Sequence, residues 1–162
     1  MIKERENRDP SREEAQVIIE TINTLTLFTR KTLLRWMPEL VSELGITGER
    51  YMVLFELALQ PDMSLKGLAD NLLTSPPTMS VMVNALVEQD LVTRIPDPED
   101  RRRVVLRLSE NGERELARAE AALLERYRNY LGELSREDQK TFVSSSRELL
   151  TVVRRIMERD RQ

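Results

Sequence analysis

The sequence contains no cysteine and no histidine. Without cysteine, the chain can form neither a disulfide nor a thiol-based redox sensor. Without histidine, it lacks the commonest general acid/base and the commonest transition-metal ligand. It also has no glycine-rich phosphate loop and no serine motif with a base. These absences predict a protein that is not an enzyme, with no metal site and no cofactor.

Aromatic residues and long apolar runs are also scarce. Aromatic residues make up 4% of the chain, so the core must consist mainly of aliphatic side chains. No apolar run approaches the roughly 18 residues that a membrane span requires. The polar, charged residues 1–9 lack the apolar stretch of a signal peptide. We therefore expect a cytoplasmic protein that does not bind membranes, and its 162 residues suit one domain or two small lobes sharing a core.

What the chain does contain is a strong helical pattern. Apolar residues recur at helical spacing and are preceded by capping residues, among them the capping box Ser11–Glu14, Ser64, Ser75 followed by Pro76, and Ser135. Pro38 is expected to end the first helix. The predicted helices cover about 11–37, a second stretch between the break at 44–47 and the stop at 60–62, then 65–72, 76–89, 110–132 and a last one from the cap at 135–138 through 157.

The helical period is interrupted after Asp90. Two β-branched runs flank a turn-rich segment with two prolines, which predicts a β-hairpin at 91–108. This hairpin contains five arginines and three acidic residues, so it carries a charge of +2 within a chain of net charge −3. The acidic balance of the whole chain argues mildly against nucleic-acid binding, whereas the local cluster at Arg101–Arg103 argues for it.

A helix, a short helix, a third helix and then a hairpin form the order of a winged helix-turn-helix. The predicted fold is mainly α with a small β-hairpin wing, in which residues 46–109 form the DNA-binding lobe. Residues 11–45 and 110–159 would form a helical dimerisation lobe. Two long helices at opposite chain ends cannot easily bury their apolar faces on a small winged domain, so an intertwined homodimer is expected, with an intrachain core as the alternative.

The second helix of such a motif lies in the major groove of double-stranded DNA, and the wing can reach the minor groove or the backbone. Polar side chains near the start of the fourth helix can contact bases or phosphates, and arginine suits a narrow minor groove. Alternatively, the serines and threonine are only helix caps and the arginines only a solvated loop. The candidate DNA-contacting residues are Ser64, Ser75, Thr78, Met79, Ser80, Asn84, Arg94, Arg101, Arg102 and Arg103.

Several segments resemble the MarR family of regulators over nearly the whole chain. They are SLKGLA at 64–69, SPPTMS at 75–80, LVEQDLVTR at 86–94, DPEDRR at 97–102 and VLRLSENG at 105–112. The resemblance implies a homodimer on a palindromic operator and a small aromatic or anionic effector bound between the lobes. It also implies that Asp100 stabilises the wing by pairing with Arg101 or Arg102. Asp90 stands where the family commonly has glycine, and Asp tolerates the left-handed backbone that this turn requires.

The effector site has no strict motif. Candidate residues for lining it are Trp36, Met37, Tyr51, Met52 and Phe55, although simple core is the favoured interpretation of these side chains. A second functional hypothesis is a winged-helix module that binds a protein partner and has lost contact with DNA. The net acidity favours this alternative weakly, and the arginine cluster argues against it.

Overall fold

The computed structural model describes residues 9–97, 100 and 103–160. It confirms the predicted fold class, with helices and one antiparallel hairpin in the expected order. The internal contacts divide the chain into two units at the Gly48–Glu49 bond, and each unit is described by itself. The elements are α1 (Arg12–Leu44), α2 (Gly48–Leu59), α3 (Leu65–Asn71), α4 (Pro76–Glu88), β1 (Val92–Pro96), β2 (Val104–Leu108), α5 (Glu110–Gly132) and α6 (Arg136–Asp160).

Helix α1 begins as predicted but ends later. The Ser11 backbone N–H donates to the Glu14 carboxylate at 2.6 Å, and the Glu14 N–H donates to Ser11 Oγ at 3.1 Å, which is the expected capping box. Hydrogen bonding of the Glu14 carboxylate to the Ser11 backbone N–H, and then to the Ser11 side chain, lowers the pKa of Glu14. The prediction that Pro38 ends the helix is wrong, because Pro38 lies inside α1. The helix ends instead before Gly45, whose φ of 68° supplies the left-handed residue that commonly follows a helix.

The core of the second unit lies among α2, α3, α4 and the hairpin. The buried side chains are almost all aliphatic, as the shortage of aromatic residues predicts. Ser64 caps α3 by accepting from the Gly67 N–H at 3.0 Å, and Ser75 caps α4. The largest fully buried side chains are Leu54, Leu57, Leu68, Met79, Leu86, Leu106, Val53, Val83 and Val92.

The hairpin is joined to the turn between α2 and α3. Strands β1 and β2 pair in antiparallel register from Val92 opposite Leu108 to Pro96 opposite Val104. The Leu106 N–H donates to the Met63 carbonyl at 2.8 Å, so Met63 extends the sheet on the far side of β2. The wing is therefore attached to the helix-turn-helix by main-chain pairing and not only by the chain connection at its base.

A second joint brings the end of α4 against the start of α5. Asp90 has a φ of 54°, which confirms that this aspartate adopts the left-handed backbone of the turn. Ser109 caps α5 by accepting from the Gly112 N–H, and its own hydroxyl donates to the Asp90 carbonyl. The Ser109 N–H donates to the Leu91 carbonyl at 3.1 Å. The three elements α4, β1 and α5 thus meet at one hydrogen-bonded point.

Helices α5 and α6 form the rest of the second unit. Helix α6 extends three residues beyond the predicted end at 157, to Asp160. Along α6 many apolar side chains remain exposed, including Leu149, Val153 and Ile156. Helix α1 likewise exposes Ile18 and Ile22. None of the helices in the described part of the chain is long and apolar enough to cross a bilayer.

Candidate nucleic-acid interface

Helix α4 has one buried and one exposed face. Met79, Val83 and Leu86 are buried at the helical spacing that packs α4 on the core. The prediction that Met79 contacts DNA is wrong, because its side chain is only 1% exposed. Instead, Val81 is 70% exposed. The outward side of α4 comprises Pro77, Thr78, Val81, Asn84 and Glu88.

The start of α4 is exposed and rich in hydrogen-bonding groups. Ser75 Oγ accepts from the Thr78 N–H at 3.3 Å and lies 2.8 Å from Thr78 Oγ1. Ser75 is therefore a cap, as one of the two sequence interpretations held, and the two hydroxyls satisfy one another in the absence of a ligand. Ser80 is half-buried beside this face. A helix start of this kind favours an approaching anion such as a phosphate group.

Asn84 and Arg94, two of the predicted DNA-contacting residues, are hydrogen-bonded to each other. Arg94 Nη2 on β1 donates to Asn84 Oδ1 on α4 at 2.5 Å, and both residues are exposed. The pair connects the outward face of α4 to the base of the wing. Asn84 Nδ2 keeps two N–H donors, whereas Oδ1, the acceptor that a bidentate contact with adenine also needs, already accepts from Arg94.

The end of the hairpin is closed by backbone hydrogen bonds. The Asp97 N–H donates to the Arg103 carbonyl at 2.9 Å, and the Arg103 N–H donates to the Asp100 carbonyl at 2.8 Å. The Asp100 N–H also donates to Asp97 Oδ1. The Arg103 side chain is exposed. Arg101 and Arg102 lie outside the described residues, so the expected pairing of Asp100 with one of them stays a prediction.

Sequence reasoning missed an ion pair that ties the wing to the helix-turn-helix. Arg107 on β2 donates to both oxygens of the Asp62 carboxylate, at 2.7 and 2.6 Å from Nη2 and at 3.1 Å from Nε. These hydrogen bonds, together with the charge of Asp62, raise the pKa of Arg107. Asp62 has a φ of 67°, which places its carboxylate at the turn before α3. Arg107 is therefore held in an ion pair, and we do not count it among the hairpin arginines available for DNA.

Three of the five residues predicted to line an effector site, Tyr51, Met52 and Phe55, lie on α2. On α2, the Tyr51 and Phe55 rings stack with centroids 5.9 Å apart, and the Met52 side chain is exposed. Burial, followed by the charges of Glu120 and Tyr127, raises the pKa of Tyr51. Trp36 is buried and belongs to the first unit. The Met37 side chain lies outside the described part of the structure.

A different cavity, of about 450 Å³, opens between α2, β2 and α5. The predicted effector residues are not part of its wall. Apart from Arg107, which Asp62 holds, its charged lining residues are Glu113 and Glu120, so the wall suits an anion poorly. Its lining is Leu57, Ala58, Pro61, Arg107, Leu108, Glu113, Leu116, Ala117 and Glu120.

The described residues do not form a candidate metal site. Within 9–97, 100 and 103–160, no three acidic side chains come together in a way that could hold a metal ion. The candidate nucleic-acid interface lies on the surface. It consists of the outward face of α4 and the arginine-bearing hairpin beside it.

Comparison with known proteins places this geometry in a family. The sequence model of the MarR family matches residues 44–103. The transcriptional regulator HosA of Escherichia coli O111:H- is 30% identical over 124 residues, which cover 76% of this chain and 89% of HosA. The match to HosA spans both the helix-turn-helix and much of the remaining helical chain.

Solved structures of other proteins have the same fold. A MarR family protein from Bacillus stearothermophilus has the same fold, with a TM-score of 0.69 at 21% identity over 85% of this chain and 96% of that protein. The transcriptional repressor CouR, solved bound to a 23-mer DNA duplex, has a TM-score of 0.59 at 26% identity over 82% of this chain and 95% of CouR. The chain belongs to the MarR family of transcriptional regulators.

Proposed function

We propose that this protein binds a palindromic operator in double-stranded DNA as a homodimer and represses transcription until a small effector binds. The observation that carries the proposal is the position of α4, whose outward face is hydrogen-bonded through Asn84 and Arg94 to the base of an arginine-rich hairpin. Placing α4 in the major groove brings the hairpin to the neighbouring minor groove or backbone. CouR, which has the same fold and was solved bound to a 23-mer DNA duplex, supports double-stranded DNA as the partner.

The charge distribution supports DNA as the partner despite the acidic chain. The hairpin segment 91–108 is +2 while the whole chain is −3, so this segment carries a local positive charge that can attract DNA. Helix α4 has no lysine or arginine of its own. Phosphate attraction therefore depends on the wing and on the backbone donors at the start of α4.

Binding to DNA from the gene's own upstream region is expected to be tight at low salt and to weaken steeply as salt rises. If the dimer makes six to ten phosphate contacts, affinity falls by about 10³- to 10⁵-fold between 50 and 200 mM salt. Binding releases counterions from the DNA, and this release favours the complex less as the salt concentration rises. Fluorescence anisotropy with a labelled duplex measures this slope. Absence of a complex at 50 mM salt, combined with tight capture of a protein partner, would establish the interaction-module alternative instead.

The homodimer rests on apolar surface that the single chain leaves uncovered. On α6, Leu149, Val153 and Ile156 recur at a spacing of three to four residues, which places them along one side of the helix. Patches this extensive on a soluble chain mark an interface. The exposed apolar side chains of α1 and α6 are Val17, Ile18, Ile19, Ile22, Leu27, Phe142, Val143, Leu149, Leu150, Val152, Val153, Ile156 and Met157.

The double variant Val153→Glu, Ile156→Glu is expected to be monomeric at concentrations where the wild type is a dimer. An unpaired carboxylate costs several kcal/mol to bury, which corresponds to at least about a hundredfold loss in dimer affinity. Sedimentation equilibrium measures the change. Ser144→Glu lies on the opposite side of α6 and should leave the dimer intact. A monomeric wild type, or a double variant that still dimerises normally, would contradict this interface.

Regulation by an effector follows from the family alone. A small aromatic or anionic molecule near Trp36, Tyr51, Met52 and Phe55 stays a prediction. The stacked pair of Tyr51 and Phe55 gives it a flat aromatic surface on α2. The acidic lining of the described cavity argues that an anionic effector, if there is one, binds elsewhere.

A further inference from the structure

The outward face of α4 has an apolar side chain at its centre. Val81 lies three residues after Thr78 and three before Asn84, and its side chain is 70% exposed. Residues at this spacing are neighbours on a helix surface, so the three side chains form a row along α4. An exposed β-branched side chain contributes nothing to the core and has a lower helix propensity than alanine. Val81 is therefore not explained by the stability of the isolated subunit.

The polar neighbours of Val81 are already hydrogen-bonded within the protein. The Thr78 hydroxyl lies 2.8 Å from Ser75 Oγ, and Asn84 Oδ1 accepts from Arg94. The helix has no lysine or arginine that could contact guanine in the usual bidentate manner. Discrimination between base pairs by α4 must then depend strongly on contacts that are not charged.

We propose that Val81 contacts the C5-methyl group of a thymine in each half-site and thereby selects thymine at that position. This inference rests on the proposed function, because it requires α4 to lie in the major groove. Thymine alone carries a methyl group at the groove surface, and an apolar side chain is the group that recognises it. Closing Val81 over this methyl group removes two exposed apolar surfaces from water at once.

Replacing thymine by uracil in the operator removes the methyl group and changes nothing else in the base pair. The operator is first obtained as the duplex that the full-length protein selects from a random pool. Each thymine is then replaced in turn. At one symmetric position, we expect uracil to weaken wild-type binding by about fourfold per half-site and about fifteenfold in both, from the transfer free energy of one methyl group.

The variant Val81→Ala completes the test. It should bind the thymine operator more weakly than the wild type and should lose most of the sensitivity to uracil at the same position, because the alanine side chain is too short to cover the methyl group as fully. Alanine has the higher helix propensity, so α4 is expected to remain folded. Val104→Ala, the same change at an exposed valine on β2, is the matched control and should keep the full sensitivity to uracil.

The outcomes separate this inference from the proposed function. If no duplex is selected and none binds at low salt, the proposed function fails and this inference fails with it. If a duplex binds but no thymine methyl group affects affinity, only the role of Val81 is overturned. The same holds if Val81→Ala remains as sensitive to uracil as the wild type.

Discussion

Replacing Gly112 with alanine is expected to lower the free energy of unfolding by about 3 kcal/mol, the upper part of the range for overpacked sites. A Cβ atom at Gly112 would lie 2.9 Å from the Leu91 carbonyl carbon and 3.3 Å from its Cα, and closer still to the carbonyl oxygen. All three atoms belong to the backbone, so no side-chain rotation can relieve the overlap. The oxygen is also held in place, since it accepts from the Ser109 N–H.

The expected consequence is a melting temperature lower by about 6–12 °C, from the usual shift of 2–4 °C per kcal/mol in chains of this size. Thermal unfolding followed by circular dichroism measures it. Gly132→Ala is the matched control, because a Cβ atom there meets nothing within 4 Å. It should match the wild type or exceed it by up to about 1 kcal/mol, the helix propensity difference. Equal melting of the Gly112→Ala variant and the wild type would show that α5 does not pack against Leu91 as described.

Local sequence patterns were sufficient to predict most of the fold. The capping signals at Ser11, Ser64 and Ser75 each predicted a helix start that the structure confirms. The one substantial error concerned the end of α1. Pro38 weakens a helix because it lacks an N–H, but it does not necessarily end one. The left-handed residue Gly45, seven positions later, was the stronger signal.

Joints between distant segments could not be predicted in the same way. Asp62 and Arg107 are 45 residues apart in the chain, and no periodic pattern links them. The close packing of Gly112 on Leu91 depends on where α5 begins relative to β1, which is a property of the assembled fold. The role of Asp90 was predicted, because its left-handed backbone is a local requirement of the turn.

The same distinction applies to the candidate site. The observed burial places Met79, Val83 and Leu86 in the core, whereas Met79 was counted among the predicted DNA contacts. A position cannot be on both faces of α4, and only the observed burial fixes the rotation of the helix. In this orientation of α4, the Val81 side chain points outward. Asn84 lies within hydrogen-bond distance of Arg94. The predicted site residues did not include Val81, whose exposure becomes evident only in the structure.

Replacing Arg101 and Arg102 together with alanine is expected to weaken operator binding by at least about a hundredfold, because a dimer loses four positive charges from the hairpin that we propose contacts DNA. The residues themselves lie outside the described structure, but the hairpin on either side of them is closed by the hydrogen bonds of Asp97 with Arg103 and of Arg103 with Asp100.

The dependence of affinity on salt distinguishes the loss of a phosphate contact from a general loss of affinity. Each phosphate contact contributes about 0.9 to the slope of log affinity against log salt, so the slope should fall by about 3 to 4 if all four arginines contact phosphates. The control replaces Arg128 and Arg136, on α5 and α6, with alanine and removes the same charge far from the wing in sequence. Sedimentation and circular dichroism should show both variants folded and dimeric. An affinity and slope equal to those of the control would place the DNA contact outside the wing tip, because equal net charge would then produce equal binding.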